Sequence, residues 1–524
     1  MLLAAATHLS VPILVTTLAI AIAKIYDTWN DLNTDRTCSS NSRTWLRKHL
    51  DGWLYLLAGP SIIQRSYNAA KTKPFDICVP NNRLVFVSEP KHIKEVDSAS
   101  DKILSLHAAT KTMLQPKYTM TGFNWLDERG IEGIGFVKAV RTLLTNNIPS
   151  IIPDIQRAIS DKFSALLADH KSVNGVRHSP VYPMIVKLTV EINALAFFGK
   201  DVSTNKEFRS AALHFIEDTL LIAEIIRLLP KFMAPIIGKL LSGYLTSHKV
   251  IFEALVPVAE QRLQETDLRR RGLKVENHSD CIQWIIDTSP KKNPWTATRV
   301  IHELMALWFG SVHAIGTTTT FAIQDLCLHP EYVEPLRTEI EGPAYTIFES
   351  TAQGLPLMDS FIKESARLTP LESISTRRQV LGPWALSDGT KLDVGDWVVT
   401  PARSIMRDPI YYPDPLHFEG FRFVDQAVIN QATSTECFKA LQSKPSSLID
   451  TGDDWQMWGT GRMTCPGRIY ASAAIKLMLS HVLRNYDCQL VNPTTSRYYT
   501  WRSTTLPKSS TKVVFSPREA VAVL

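Results

Sequence analysis

The sequence predicts a mainly α-helical protein with small β-sheets, preceded by one N-terminal transmembrane helix. Three observations predict it. Residues 1–23 contain no Lys, Arg, Asp or Glu. Beyond Val87 the apolar residues recur chiefly at helical spacing. No internal repeat and no Gly/Ser-rich linker divides the 524 residues, so one large compact unit is expected rather than several domains. Composition agrees, since 45% hydrophobic and 21% charged residues mark a globular chain. The net charge of +6 is spread too thinly for a dedicated nucleic-acid face, and Arg269-Arg270-Arg271 reads as a short solvated run.

In chain order, residues 9–23 are dense in Leu, Ile, Val and Ala. At 1.5 Å per residue, a bilayer core of ~30 Å needs roughly 20 residues, so the segment is long enough to span. A cleaved signal peptide would suit Ala21-Ile22-Ala23, but the basic n-region is missing. Lys24, Arg36, Arg43, Arg47 and Lys48 all follow the span, which places the rest of the chain in the cytosol. The expected division is an anchor over residues 1–26, a juxtamembrane amphipathic segment over 27–59 and one large compact unit over 60–524. Leu46, Leu50, Trp53, Leu54 and Leu57 give the amphipathic helix its spacing. Residues 75–79 and 84–87 flank Asn81-Asn82 as a hairpin.

Residues 228–237 are apolar but interrupted by Pro230 and Pro235, so they cannot form one regular helix. An apolar loop between helices suits either a membrane surface or core packing. The longest helix is expected from Thr296 to His329, where Pro330 stops it. The seven cysteines are odd in number and contain no CxxC pair, so free thiols are expected in reducing surroundings, and the sequon at Asn277 should stay unglycosylated.

Cys465 has distinctive neighbours. It lies in Trp458-Gly459-Thr460-Gly461-Arg462-Met463-Thr464-Cys465-Pro466-Gly467-Arg468, followed by an apolar helical run. A glycine-rich loop entering a helix offers backbone N–H groups and a positive helix end to sulfur, which favour thiolate. Pro466 suits a first helical turn. Glycines at 459, 461 and 467 leave room for a flat ligand.

This loop resembles the ligand loop of the cytochrome P-450 superfamily, the heme-thiolate monooxygenases, whose pattern is aromatic-x-x-Gly-x-basic-x-Cys-x-Gly with Ala four residues on. Trp458, Gly461, Cys465, Gly467 and Ala471 match. Met463 departs from the basic residue that helps hold a heme propionate, with Arg462 beside it. Glu364 and Arg367 match the family's Glu-x-x-Arg, one helical turn apart. Residues 412–423 are similar to the segment whose arginine, here Arg422, joins that pair as a structural triad.

The resemblance implies a cytochrome P-450 fold holding heme b, with Cys465 as axial iron ligand and Gly459, Gly461 and Gly467 in the heme loop. Arg377, ten residues after Arg367, stands where the family places a propionate-binding arginine. Arg141 stands at the arginine of Trp-x-x-x-Arg, with Val137 replacing Trp, and Arg462 is the third propionate candidate.

The long helix of the family passes over the heme face opposite the cysteine and carries an acid and a threonine that relay protons to dioxygen. Counting back fifteen residues from His329 reaches Ala314, with His313 at the acid position and Gly310-Ser311 as the groove. The acid–alcohol pair is absent. Ser311 and Thr317, one turn either side of Ala314, or His313 itself, are the candidate proton path. Back-bonding of the threonines at 317–320 to the helix is the plainer alternative.

No dinucleotide fingerprint is present, so the resemblance implies NADPH acting through cytochrome P-450 reductase, with cytochrome b5 as a further electron donor. Arg462, Arg468 and Lys476 are candidates to face the reductase. It also implies a single-pass endoplasmic reticulum protein acting with O2 on a lipophilic molecule. Met113, Leu114, Tyr118, Met120, Phe123 and Trp125, with Leu304, Leu307 and Phe309, are the expected pocket. Similarity to fungal members favours a terpenoid-type intermediate of secondary metabolism. The alternatives are sterol or fatty-acid hydroxylation, a heme-thiolate rearrangement or dehydration catalyst, and a non-enzymatic membrane heme protein.

Overall fold

Helices account for most of the computed structural model, which describes residues 45–120, 135–170, 172–173, 176–230, 232–433, 438–442 and 444–518. The expected membrane span and Cys38, Phe123, Trp125 and Cys437 lie outside these residues. Among the described residues one helix, Val181–Ser203, is long and apolar enough to cross a membrane. It is apolar on every side because it is surrounded by other helices, from Met184 and Ile185 to Phe197 and Phe198.

The central helix Ala297–Leu328 spans 32 residues, ~48 Å. Thr296 caps it, its hydroxyl accepting from the Arg299 N–H at 3.3 Å. The helix ends at His329, ahead of Pro330, as the sequence predicts. Around it pack Val181–Ser203, Ser247–Arg270, Pro356–Leu368 and Arg468–Asn485, which bury a single large apolar core. Gly316 permits one close approach: a Cβ there would lie 3.2 Å from Val186 Cγ2.

The predicted hairpin is present. Phe75–Cys78 pairs antiparallel with Arg83–Phe86, Cys78 opposite Arg83. Trp397–Thr400 adds parallel to the second strand, and Ser375–Val380 and Leu104–Ser105 complete a five-stranded sheet. The helix Trp45–Ala70, kinked near Ala58 and Pro60, covers this sheet with Tyr55, Ile62, Ile63 and Tyr67. It runs through the expected boundary at residue 59, and Gly59 lets the Arg502 carbonyl approach it.

Lys206–Leu228 and Ala234–Ser242 are separated at Pro230, and Pro235 sits in the first turn of the second helix. The short helix turns Ile236 and Leu240 outward, and Phe232 just before it and Tyr244 just after it join them, each between 63% and 81% exposed. Tyr118 packs against its inner side at Gly238.

One cysteine departs from expectation. Cys281, Cys327, Cys465 and Cys488 are free, but Cys78 is disulfide-bonded. A disulfide leaves no mark in cysteine spacing.

Candidate active site

The loop before Cys465 is shaped by two left-handed residues, Gly459 at φ +75° and Gly461 at φ +57°. Gly461 has a second reason: a Cβ would lie 2.6 Å from the Asp97 carboxylate. The Cys465 N–H donates to the Trp458 carbonyl at 2.8 Å, closing the loop. Trp458 is anchored through Nε1 to the Leu448 carbonyl at 2.6 Å, a bond that phenylalanine could not make. The helix that follows begins at Arg468, so Pro466 lies in the preceding turn rather than the first helical turn.

Cys465 keeps one partly open side within dense surroundings. Burial raises its thiol pKa, opposed by the N–H of Gly467, by Arg468, by Arg141 and by the N–H of Arg468. The expected preference for thiolate is thus outweighed by desolvation. A coordinating metal ion reverses that balance by deprotonating the thiol outright. Among the described residues no group of three or more His, Cys, Asp or Glu side chains could hold a metal ion together. One sulfur faced by backbone donors and flanked by two arginines fits a heme iron bound through a single thiolate.

The three propionate candidates differ. Arg141 lies in a π-helical turn, Ala139–Leu144, and its Nη2 donates to the carbonyls of Arg462 and Thr464 at 3.1 and 3.0 Å. It therefore holds the cysteine loop from the side. Arg377 is paired with Glu372 at 3.0 Å, while its buried Nε has no partner among the described residues. Glu372 in turn accepts from Ser503 and Thr504. Arg462 turns outward to Asp101 at 2.9 Å and to the Ala99 carbonyl. Arg378, next to Arg377, is buried and approaches Asp97 at 3.5 Å.

Glu364, Arg367 and Arg422 converge with no exposed side-chain surface. Arg367 grips Glu364 through Nε and Nη2 at 2.7 and 2.8 Å, and Arg422 Nε bridges both carboxylate oxygens at 3.1 Å. Two cations face one anion, so further acceptors are needed. Carbonyls of Met406, Pro413, Asp414, Pro415 and His417 supply them. Asp414 adopts φ +45° within this irregular segment, whose course follows from turning oxygen atoms toward the two guanidinium groups.

Along the central helix Ala306, Phe309, Gly310, His313 and Ala314 keep open surface, while Leu304, Leu307, Trp308, Val312 and Ile315 are buried. Of the apolar residues expected before the groove, only Phe309 is therefore on the open stripe. Leu304 and Leu307 face the core because the helix turns 100° per residue. Ser311 is also partly open, but its hydroxyl is engaged with the neighbouring helix: it accepts from Asn193 Nδ2 at 3.1 Å and donates to the Trp308 carbonyl. Thr318 and Thr320 bond back to the carbonyls of Ala314 and Gly316. Thr317 does not; its buried Oγ1 lies beside the Tyr182 hydroxyl. Tyr182, which no motif marks, places its hydroxyl 3.2 Å from His313 Nδ1. The signal was missing because a tyrosine in an apolar run reads as core.

Comparison with known proteins agrees with this architecture. The retinoic acid-bound cyanobacterial CYP120A1 superimposes with a TM-score of 0.61 over 88% of this chain and 97% of its own, at 15% identity, a likeness of fold alone. The cytochrome P-450 monooxygenase olcJ of Penicillium canescens is 29% identical over 84% of this chain and 80% of its own length. The monooxygenase paxP of Penicillium paxilli is 27% identical over 84% of this chain and 82% of its own. The sequence profile of the cytochrome P-450 family matches residues 56–515. With that match extending over most of its length, this chain belongs to the cytochrome P-450 family of heme-thiolate monooxygenases.

Proposed function

We propose that the chain is a membrane-anchored monooxygenase of fungal secondary metabolism that hydroxylates or otherwise oxidises a lipophilic, terpenoid-type intermediate. Electrons come from NADPH through cytochrome P-450 reductase, with cytochrome b5 as a second donor. The observation that carries the reading is the Cys465 sulfur, faced by the N–H groups of Gly467 and Arg468 at the mouth of a helix. Bound there, heme supplies the activation of dioxygen. The protein's own part is to hold one sulfur, to bind the heme carboxylates through Arg377 and Arg141, and to present an apolar stripe to the substrate.

The stripe of Ala306, Phe309, Gly310 and Ala314 suits a hydrocarbon skeleton, with His313 as its polar exception. The fungal origin of the relatives supports the assignment to secondary metabolism. Full-length protein reconstituted with reductase should consume NADPH and O2 in step with an oxygenated product when supplied with extracts of a deletion strain. Conversion that needs neither reagent would instead identify a rearrangement or dehydration catalyst.

The outward face of Phe232, Ile236, Leu240 and Tyr244 is built on and around the short helix Ala234–Ser242 that follows Lys206–Leu228. Such a face is suited to rest in the lipid interface beside the anchor. A polarity-sensitive dye on Ile236→Cys should shift its emission to the blue in liposomes and be quenched by a lipid-borne quencher. Emission unchanged from aqueous detergent-free buffer would place this face in water.

A further inference from the structure

Asn193 stands fully buried in the middle of Val181–Ser203, where its amide joins two helices that are distant in the chain. On one side its Oδ1 accepts from the Tyr470 hydroxyl at 2.8 Å. On the other its Nδ2 donates to Ser311 Oγ at 3.1 Å, and the Ser311 hydroxyl donates in turn to the Trp308 carbonyl at 2.9 Å. Tyr470 lies in the first turn of Arg468–Asn485, the helix that leaves the cysteine loop. Burial pushes its phenol pKa well above the usual value, so the hydroxyl stays a donor. Ser311 belongs to the central helix, next to Gly310 of the open stripe.

The packing around this bridge is apolar, with Ile192, Phe197, Val312 and Ile315 all buried. Apolar burial is non-directional, so it constrains the rotation of a helix about its axis only weakly. A hydrogen bond has a direction. Trp308 supplies a second such tie, its Nε1 donating to the Ala212 carbonyl at 2.8 Å, and Tyr182 meets His313 Nδ1 as a third. Glu303 and Asp325 tie the helix nearer its ends, to Phe136 and to Ser365 and Arg497. The tie through Asn193 differs in running on to the helix of the cysteine. Since successive residues turn by 100°, Trp308 and Ser311 share a flank roughly opposite Ala306, Phe309 and His313.

We propose that Asn193 is a positioning residue whose amide couples the central helix to the helix that follows Cys465, and so fixes the rotation of the open stripe relative to the cysteine loop. The proposal rests on the heme-thiolate reading of Cys465. A buried asparagine sets register between coiled helices in the same way, through one directional contact in an apolar interface. A lipophilic substrate is oriented by the shape of the apolar surface it rests on, so the rotation of the stripe decides which carbon is presented. Asn193 has no exposed surface and acts on that choice through Ser311.

Imidazole and 1-phenylimidazole, each titrated into the heme-loaded full chain, test the coupling. Both bind the iron through nitrogen and move the Soret band to the red, but only the second lays an aromatic ring against the stripe. The red-shifted thiolate Soret band of the reduced, carbon monoxide-bound sample counts correctly assembled protein. Wild type without that band fails the heme-thiolate reading and the proposal with it, whereas variants with the band and an unchanged affinity ratio fail only the proposal.

Asn193→Leu, similar in size and without polar side-chain atoms, should weaken 1-phenylimidazole about threefold relative to imidazole, within the net worth of one hydrogen bond. Ser311→Ala and Tyr470→Phe cut the chain on either side of the amide, and each should change the ratio in the same direction. Adding Ser311→Ala to Asn193→Leu should change it no further, because both remove one coupling. Where Asn193→Leu does not accumulate, the other two single variants decide. Lower thermal stability with the wild-type ratio in these variants would make the bridge a packing feature and overturn the proposal. A changed ratio in Ser311→Ala beside a wild-type ratio in Tyr470→Phe would overturn the coupling to the cysteine helix.

Discussion

Glu364→Ala should abolish accumulation of the folded protein. The substitution leaves Arg367 and Arg422 facing one another in the interior, where neither side chain has exposed surface. Breaking a buried ion pair by removing one partner costs about 3–5 kcal/mol, because the remaining charge is stranded. Here two cations are stranded. Domains commonly have about 5–15 kcal/mol of stability in total, so the loss is a large fraction of it. Glu364→Gln should fare little better, since it keeps the shape and loses the charge. The damage should extend beyond the pair: the Glu419 N–H also donates to the Glu364 carboxylate, at 3.0 Å. Residues 412–423 are therefore expected to lose their course as well. Urea unfolding followed by tryptophan fluorescence checks this, and a midpoint equal to wild type would mean that the carbonyls alone hold the two arginines.

Cys465→Ala should remove the thiolate Soret band of the reduced, carbon monoxide-bound protein and with it all turnover. No neighbouring side chain can substitute, because no other thiol belongs to the loop. The protein should also become less stable through lost heme. A ligand present at a thousandfold excess over its dissociation constant stabilises the folded state by about 4 kcal/mol. Cys488→Ala is the control: Cys488 lies in the strand Tyr486–Leu490, and it should keep the band. Retention of the band in Cys465→Ala would overturn the ligand assignment.

Much of the site was legible because it is local. Trp458 to Gly467 is one loop, and its glycines, its proline and its cysteine state their geometry within ten residues. The pair Glu364 and Arg367 is legible for the same reason, being one helical turn apart. Arg422 could be matched to a segment, but the need for five backbone carbonyls around the two arginines follows only from their burial.

The central helix shows the limit most plainly. Its ends are written in Thr296 and Pro330, and the structure places them there. Which of its faces is open is not, because the run from Leu304 to Thr320 is apolar or small almost throughout. Periodicity distinguishes core from solvent by polarity, and this helix has core on one side and an apolar stripe on the other. That is why Ser311, expected beside Ala314, turns to Asn193 instead, and why Leu304 and Leu307 join the core.

Taken by itself, the sequence determined the family, the cysteine proposed to bind the heme, the hairpin and the ends of the central helix, since each is encoded by residues close together in the chain. Only the tertiary structure decided what meets across the chain. Arg141 reaches the carbonyls of the cysteine loop, Arg462 turns to Asp101, Cys78 is drawn into a disulfide, and Tyr182 finds His313. The reason is physical. Chain spacing fixes neighbours within a turn or a strand, whereas contacts between distant residues arise from how the apolar faces of several helices are buried at once.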